Sequence, residues 1–127
     1  MTVKSFPPGE FLNLAERMVY LKNILDDEAL IRTVMNRCYY AVFLVLREKL
    51  GLPENTTHRK VYEEVKRKNI KLAGYLDILW VYRRGADYYL HSPVVLRGWA
   101  ITHRVSFELD KAERCIDIAQ RALSEAI

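Results

Sequence analysis

Apolar residues recur along the chain at helical rather than alternating spacing, and glycine and proline cut that recurrence into five segments. The pattern predicts five helices and no strand. The first covers about residues 10–25, with Phe11, Leu14, Met18, Leu21 and Ile24 on one face behind Pro7, Pro8 and Gly9. Asp26 or Asp27 is placed to accept free backbone N–H groups at the start of a second helix. That helix runs through Leu30, Val34, Cys38, Ala41 and Val45 to Leu50, where Gly51 and then Pro53 stop it. Residues 39–46 are apolar on every side of it, so it is the expected central element. A short third helix, about 57–68, turns Val61 and Val65 inward. The fourth, about 72–91, ends at Ser92-Pro93, because proline disfavours helical geometry in the residue before it. The last, about 99–126, carries Val105, Leu109, Ala112, Ile116, Ala119 and Leu123 as its stripe.

Composition narrows this to one domain over residues 1–127. Half of the residues are hydrophobic and 28% are charged, without repeats or low-complexity tracts, which excludes disordered and fibrous classes. A chain of this length buries roughly two thirds of the surface it exposes when unfolded, so it needs neither disulfide nor metal to fold. Cys38 and Cys115 lie far apart inside apolar helical patterns, which removes a CxxC redox pair and a zinc knuckle and points to a reducing, cytoplasmic setting. The longest uninterrupted apolar run, 38–46, is nine residues against the roughly twenty of a membrane-spanning helix, so no membrane span is expected. The first residues lack the apolar stretch and cleavage site of a secretory signal. The net charge of +4 is local: residues 59–71 hold six basic and two acidic residues, the whole excess.

Candidate chemistry concentrates in the fourth helix. Leu72, Leu76, Leu79, Ala86 and Leu90 make a narrow stripe with Arg83 in its middle. A buried guanidinium requires a partner, and Asp87 one turn on is the expected one. Such a pair either pins helix register or forms a charged site in a cleft or at a subunit interface. Arg84 and His91, seven residues apart, share a second face with Trp80. Arginine beside histidine suits phosphodiester chemistry, since imidazole moves protons near neutral pH and guanidinium stabilises charge on phosphate oxygens. The plainer reading makes His91 a cap on the helix end and Arg84 a solvated surface residue. No two histidines sit at i, i+4, and no phosphate loop, GxSxG elbow or Cys/His nucleophile pattern occurs, so neither metal nor cofactor is expected. The third helix, with Tyr62 among Lys66, Arg67 and Lys68, is either a patch for a phosphate backbone or a solvated face.

Two segments carry a resemblance. Asn36-Arg37-Cys38-Tyr39-Tyr40-Ala41-Val42-Phe43, followed by Arg83-Arg84-Gly85-Ala86-Asp87-Tyr88, resembles the HEPN (higher eukaryotes and prokaryotes nucleotide-binding) domain, and the similarity covers nearly the whole chain. This version is similar to small stand-alone prokaryotic HEPN proteins, many encoded beside a minimal nucleotidyltransferase. The resemblance implies an all-α, up-and-down bundle of four long helices plus one short helix, which dimerises so that two fourth helices line a shared cleft. It implies a binding module for nucleotide or RNA in a toxin–antitoxin-like or nucleotide-handling system, with Arg83, Asp87, Tyr88 and Arg37 as contact residues. A ribonuclease branch of the family uses an arginine and a histidine with four to six residues between them. Aligned on Arg83, Tyr88 stands where that branch has histidine; aligned on Arg84, His91 completes the pair and Gly85 falls at the dimer seam. The alternatives are therefore a metal-independent endoribonuclease acting through Arg84 and His91, and a non-catalytic scaffold.

Overall fold

The computed structural model describes residues 7–20 and 27–126. It is mostly helical, with α1 (Gly9–Tyr20), α2 (Glu28–Lys49), α3 (His58–Lys68), α4 (Ile70–Tyr88) and α5 (Leu109–Ala126), and a two-stranded antiparallel sheet of β1 (Val94–Arg97) and β2 (Thr102–Val105) between α4 and α5. The five expected helices are present, and the hairpin corrects the expectation of no strand. Leu21, Ile24 and Asp26, named from the sequence, lie outside the described residues.

Local chemistry sets the helix ends. The Asp27 carboxylate accepts the Ala29 N–H at 2.9 Å, the Thr57 hydroxyl the Lys60 N–H at 3.1 Å, and the Asn69 side chain the Leu72 N–H at 3.1 Å, each satisfying a donor that the first turn leaves free. Gly51 ends α2 at φ 66, the left-handed conformation that costs glycine nothing, and its N–H returns to the Glu48 carbonyl.

Helix α2 is the hub, packed on α1, α4, α5 and α3. Val34, Met35, Cys38, Tyr39, Ala41 and Val42 are almost wholly buried, as the all-round apolar segment requires. Its 22 residues are long and apolar enough to cross a membrane by length and composition, beyond what the nine-residue run suggests, but half of that stretch is buried within this fold. The contact face of α1 is turned by about one residue from the expected one: Leu12 and Ala15 are buried, while Leu14 is exposed. Cys38 and Cys115 are free and buried, and burial raises both thiols above their ordinary pKa, so they stay protonated and unreactive.

The hairpin accounts for the largest departure from the helical reading. Residues 99–108, assigned to the last helix from the sequence, are instead a turn, β2 and a loop, and α5 starts at Leu109. The register pairs Val94 with Val105 and Leu96 with His103, which puts these four on the face toward α4 and sends Val95, Arg97, Thr102 and Arg104 outward. The alternation is short and the strand residues are β-branched at Val94, Val95, Thr102 and Val105, a signal that the helical spacing of Val105 with Leu109 and Ala112 conceals. Val105 is buried, but from a strand.

Candidate functional site: a cation and aromatic face built on α2 and α4

Helix α4 ends three residues earlier than proline alone predicts. Tyr89 turns extended at φ −114, ψ 121, and the Arg32 guanidinium of α2 donates to the carbonyls of Gly85 at 3.3 Å, Ala86 at 3.0 Å and Tyr89 at 2.6 Å. A cation on the last carbonyls satisfies acceptors that the helix leaves free and opposes the negative end of its dipole. Arg32 also lies 3.9 Å from the centroid of Phe107. Leu90, expected in the buried stripe, is 88% exposed because the helix has already stopped.

The expected Arg83–Asp87 pair is present, with Nε 3.0 Å from Oδ2 and side chains 13% and 26% exposed. The same Oδ2 accepts from Asn36 Nδ2 at 3.0 Å. One carboxylate thus ties the Asn36-Arg37 segment of α2 to the Arg83–Tyr88 segment of α4, 51 residues apart in sequence. The Arg83 guanidinium sits 5.3 Å from the Tyr40 ring, 5.6 Å from Trp80 and 5.4 Å from Tyr88, a cradle in which aromatic faces oppose the positive charge. Tyr88 itself is 68% exposed. Arg37 lies 5.1 Å from the Phe11 ring and, with Arg32, Asn36 and Asp87, lines a groove of about 400 Å³ between α2 and α4.

Arg84 and His91 do not share a helix face. His91 is exposed and lies beyond Tyr88, the last residue of α4, so the geometric basis for pairing them is gone. Nor is Arg84 a solvated surface residue: it is half-buried, donates to the Arg97 carbonyl of β1 and lies 5.3 Å from the Trp80 ring. Gly85 faces the hairpin, where an added β-carbon would meet Phe107 and Val105 at 3.1 Å and Leu96 at 3.3 Å. The missing side chain is explained by intramolecular packing, in place of the dimer seam expected there.

Besides Arg32, three residues escaped the sequence reading. Asp77, fully buried, accepts the N–H groups of Trp99 at 2.6 Å, Ala100 at 3.2 Å and Ile101 at 3.3 Å, and so holds the tip of the hairpin. His58 shares a 2.6 Å hydrogen bond between Nδ1 and the Tyr39 hydroxyl, and its ring stacks on Phe43 at 4.3 Å and on Trp80 at 5.0 Å. Burial, with Arg83 and Arg47 nearby, lowers the His58 pKa, and burial raises that of Tyr39, so both are neutral at physiological pH. Trp99 stacks on Trp80 at 4.6 Å and on Tyr62 at 4.9 Å, which completes a ladder of rings from Phe43 through His58, Trp80 and Trp99 to Tyr62. Tyr62 is consequently buried and not a platform among lysines. The carboxylate at 77 on an apolar helix was a second available signal for the hairpin, beside its β-branched strand residues.

The expected basic patch is divided. Arg67 pairs with Glu64 at 3.3 Å, Lys66 faces the hairpin tip, and Lys68 faces the ends of α2 and α5 beside Glu125. The chain matches no family model, no curated protein and no solved structure.

Proposed function

We propose that the protein is a binding module that takes nucleotide or RNA in the groove between α2 and α4. The observation that carries this reading is the double engagement of Asp87 by Asn36 and Arg83, which joins the two HEPN-like segments in one place. That carboxylate holds the groove in shape, Arg37 supplies positive charge for a phosphate, and exposed Tyr88, next to Asp87 at the groove's α4 side, supplies aromatic surface for a base. The up-and-down bundle of four long helices plus one short helix, a homodimer through α4, a nucleotidyltransferase partner and a cytoplasmic setting belong to the same proposal. Exposed Tyr88, Tyr89 and Leu90 at the end of α4 support the dimer, since together they present apolar surface that a second copy would cover. The endoribonuclease alternative loses its support with the separation of His91 from the helix face of Arg84.

The test combines light scattering at micromolar concentration with titration of adenine nucleotides and a short RNA into wild type and Arg37→Glu. A dimer that binds at least one of these ligands, weakened at least tenfold by Arg37→Glu, is expected. A strict monomer with equal binding in both proteins would overturn the reading. RNA cleavage in EDTA that His91→Ala abolishes would return the nuclease to first place.

A further inference from the structure

The basic residues of α3 do not act as a run. Lys60 and Arg67 both pair with Glu64, at 3.1 and 3.3 Å, and Arg59 pairs with Glu63 at 3.2 Å. Lys66 instead faces the hairpin tip, where Arg59, Lys66 and Arg97 surround a hollow of about 370 Å³ floored by Tyr62 and Trp99. Glu63 is the one carboxylate among its lining residues, so positive charge is in excess.

The walls of this hollow are fixed by bonds that owe nothing to a ligand. Asp77 holds the backbone N–H groups of Trp99, Ala100 and Ile101, Arg84 holds the Arg97 carbonyl, and the Trp99 ring is stacked on both Trp80 and Tyr62. Because protein rings already occupy Trp99, the hollow offers a ligand charge and hydrogen-bond donors rather than a face for a base. The Arg59 and Arg97 guanidiniums present planar forks that match phosphate oxygens, and Lys66 adds a compact charge. The backbone and rings beneath the cations are already fixed, so the ordering that an entering anion imposes is confined to the exposed side chains of Arg59, Lys66 and Arg97.

We propose that the hollow between α3 and the hairpin tip is a second ligand site, separate from the α2–α4 groove, that binds clustered phosphate groups. Either the backbone of a single-stranded RNA or the tail of a nucleoside triphosphate supplies that chemistry. Trp99 lines the hollow and Trp80, the other tryptophan of the chain, stacks on it, so intrinsic fluorescence responds to its occupancy; Trp80 also lies beside Arg83, and Arg37→Glu separates that contribution.

The test titrates inorganic triphosphate, ATP, a ten-nucleotide oligouridylate and polyglutamate into the wild type, Lys66→Gln/Arg97→Gln and Arg37→Glu, at two salt concentrations. The expected result is a saturable quenching component that survives in Arg37→Glu, where the α2–α4 groove is impaired, and is at least tenfold weaker, with a shallower salt dependence, in Lys66→Gln/Arg97→Gln. Tighter binding of the oligouridylate assigns the site to an RNA backbone, and tighter binding of triphosphate and ATP assigns it to a nucleotide tail. No saturable response to any phosphate ligand, undiminished binding by Lys66→Gln/Arg97→Gln, or equal binding of polyglutamate would overturn the proposal. Both substituted side chains belong to exposed residues, and circular dichroism checks the fold; Arg59→Gln/Lys66→Gln, which leaves the hairpin untouched, gives an independent second variant. Because Arg37→Glu addresses the other groove alone, failure of one site is distinguishable from failure of the other.

Discussion

The carboxylate of Asp77 occupies the space that a side chain on Gly98 would need: a β-carbon there would lie 2.3 Å from Oδ1 and 2.7 Å from Oδ2. A glycine in the turn lets a buried acid on α4 reach three consecutive backbone N–H groups, and those bonds offset the cost of burying the charge. Gly98→Ala is expected to cost about 1–3 kcal/mol, as overpacking does. Asp77→Ala, which leaves three donors without their acceptor, is expected to cost about 3 kcal/mol or more. Urea unfolding measures both losses, and near-ultraviolet circular dichroism should register disruption of the Trp80–Trp99 stack.

Arg32→Ala removes the cation that closes α4. Three carbonyls lose a charge-assisted donor, although water reaches part of the site, so a loss of about 1–2 kcal/mol is expected. Amide exchange should accelerate most at the last turn of α4. Arg32→Lys is expected to recover only part of the loss, because an ammonium cannot spread its donors as a guanidinium does.

Breaking the Arg83–Asp87 pair is a milder change than a fully buried pair would give, since the two side chains keep 13% and 26% of their exposure. A loss of about 2 kcal/mol is expected for Arg83→Ala, between the ranges for surface and buried pairs. A double-mutant cycle with Asp87→Ala isolates the coupling. Arg84→Ala acts elsewhere, on the Arg97 carbonyl, and should loosen the hairpin without changing that coupling.

Stability should fall as pH drops below about 6.5, the ordinary histidine value. Burial lowers the pKa of both His58 and His103 in the folded protein. Between the lowered and the ordinary value the unfolded chain therefore binds more protons, and unfolding becomes easier with acid. Urea denaturation at pH 7.5, 6.5 and 5.5 measures the slope, and His58→Gln with His103→Gln should flatten it; an unchanged slope would place the titration on other groups.

Helix positions and the Arg83–Asp87 pair were legible in the sequence because both follow from spacing within one helix. The hairpin was not, because its strands are four residues long and Val105 also fits the apolar stripe of α5. The end of α4 was misplaced for another reason: the agent that stops it, Arg32, is 57 residues from Tyr89 in sequence, and no local rule points to it. The candidate groove was half legible. Asp87 stood out as the partner of Arg83, but Asn36 was only one residue of its segment, and their meeting at 3.0 Å depends on how α2 and α4 cross. His58 offered no motif, since its surroundings come from two other helices, α2 and α4.

The capture of the α4 terminus by Arg32 also orders the assembly of the chain in time. Loop closure between residues more than 50 positions apart carries a large entropic cost, whereas the turns of α4 nucleate locally. The body of that helix can therefore gain structure early, while its final turn waits until α2 has docked. Residues 85–89, which lie between Arg83 and the hairpin, would be the segment that closes late in folding and reopens first.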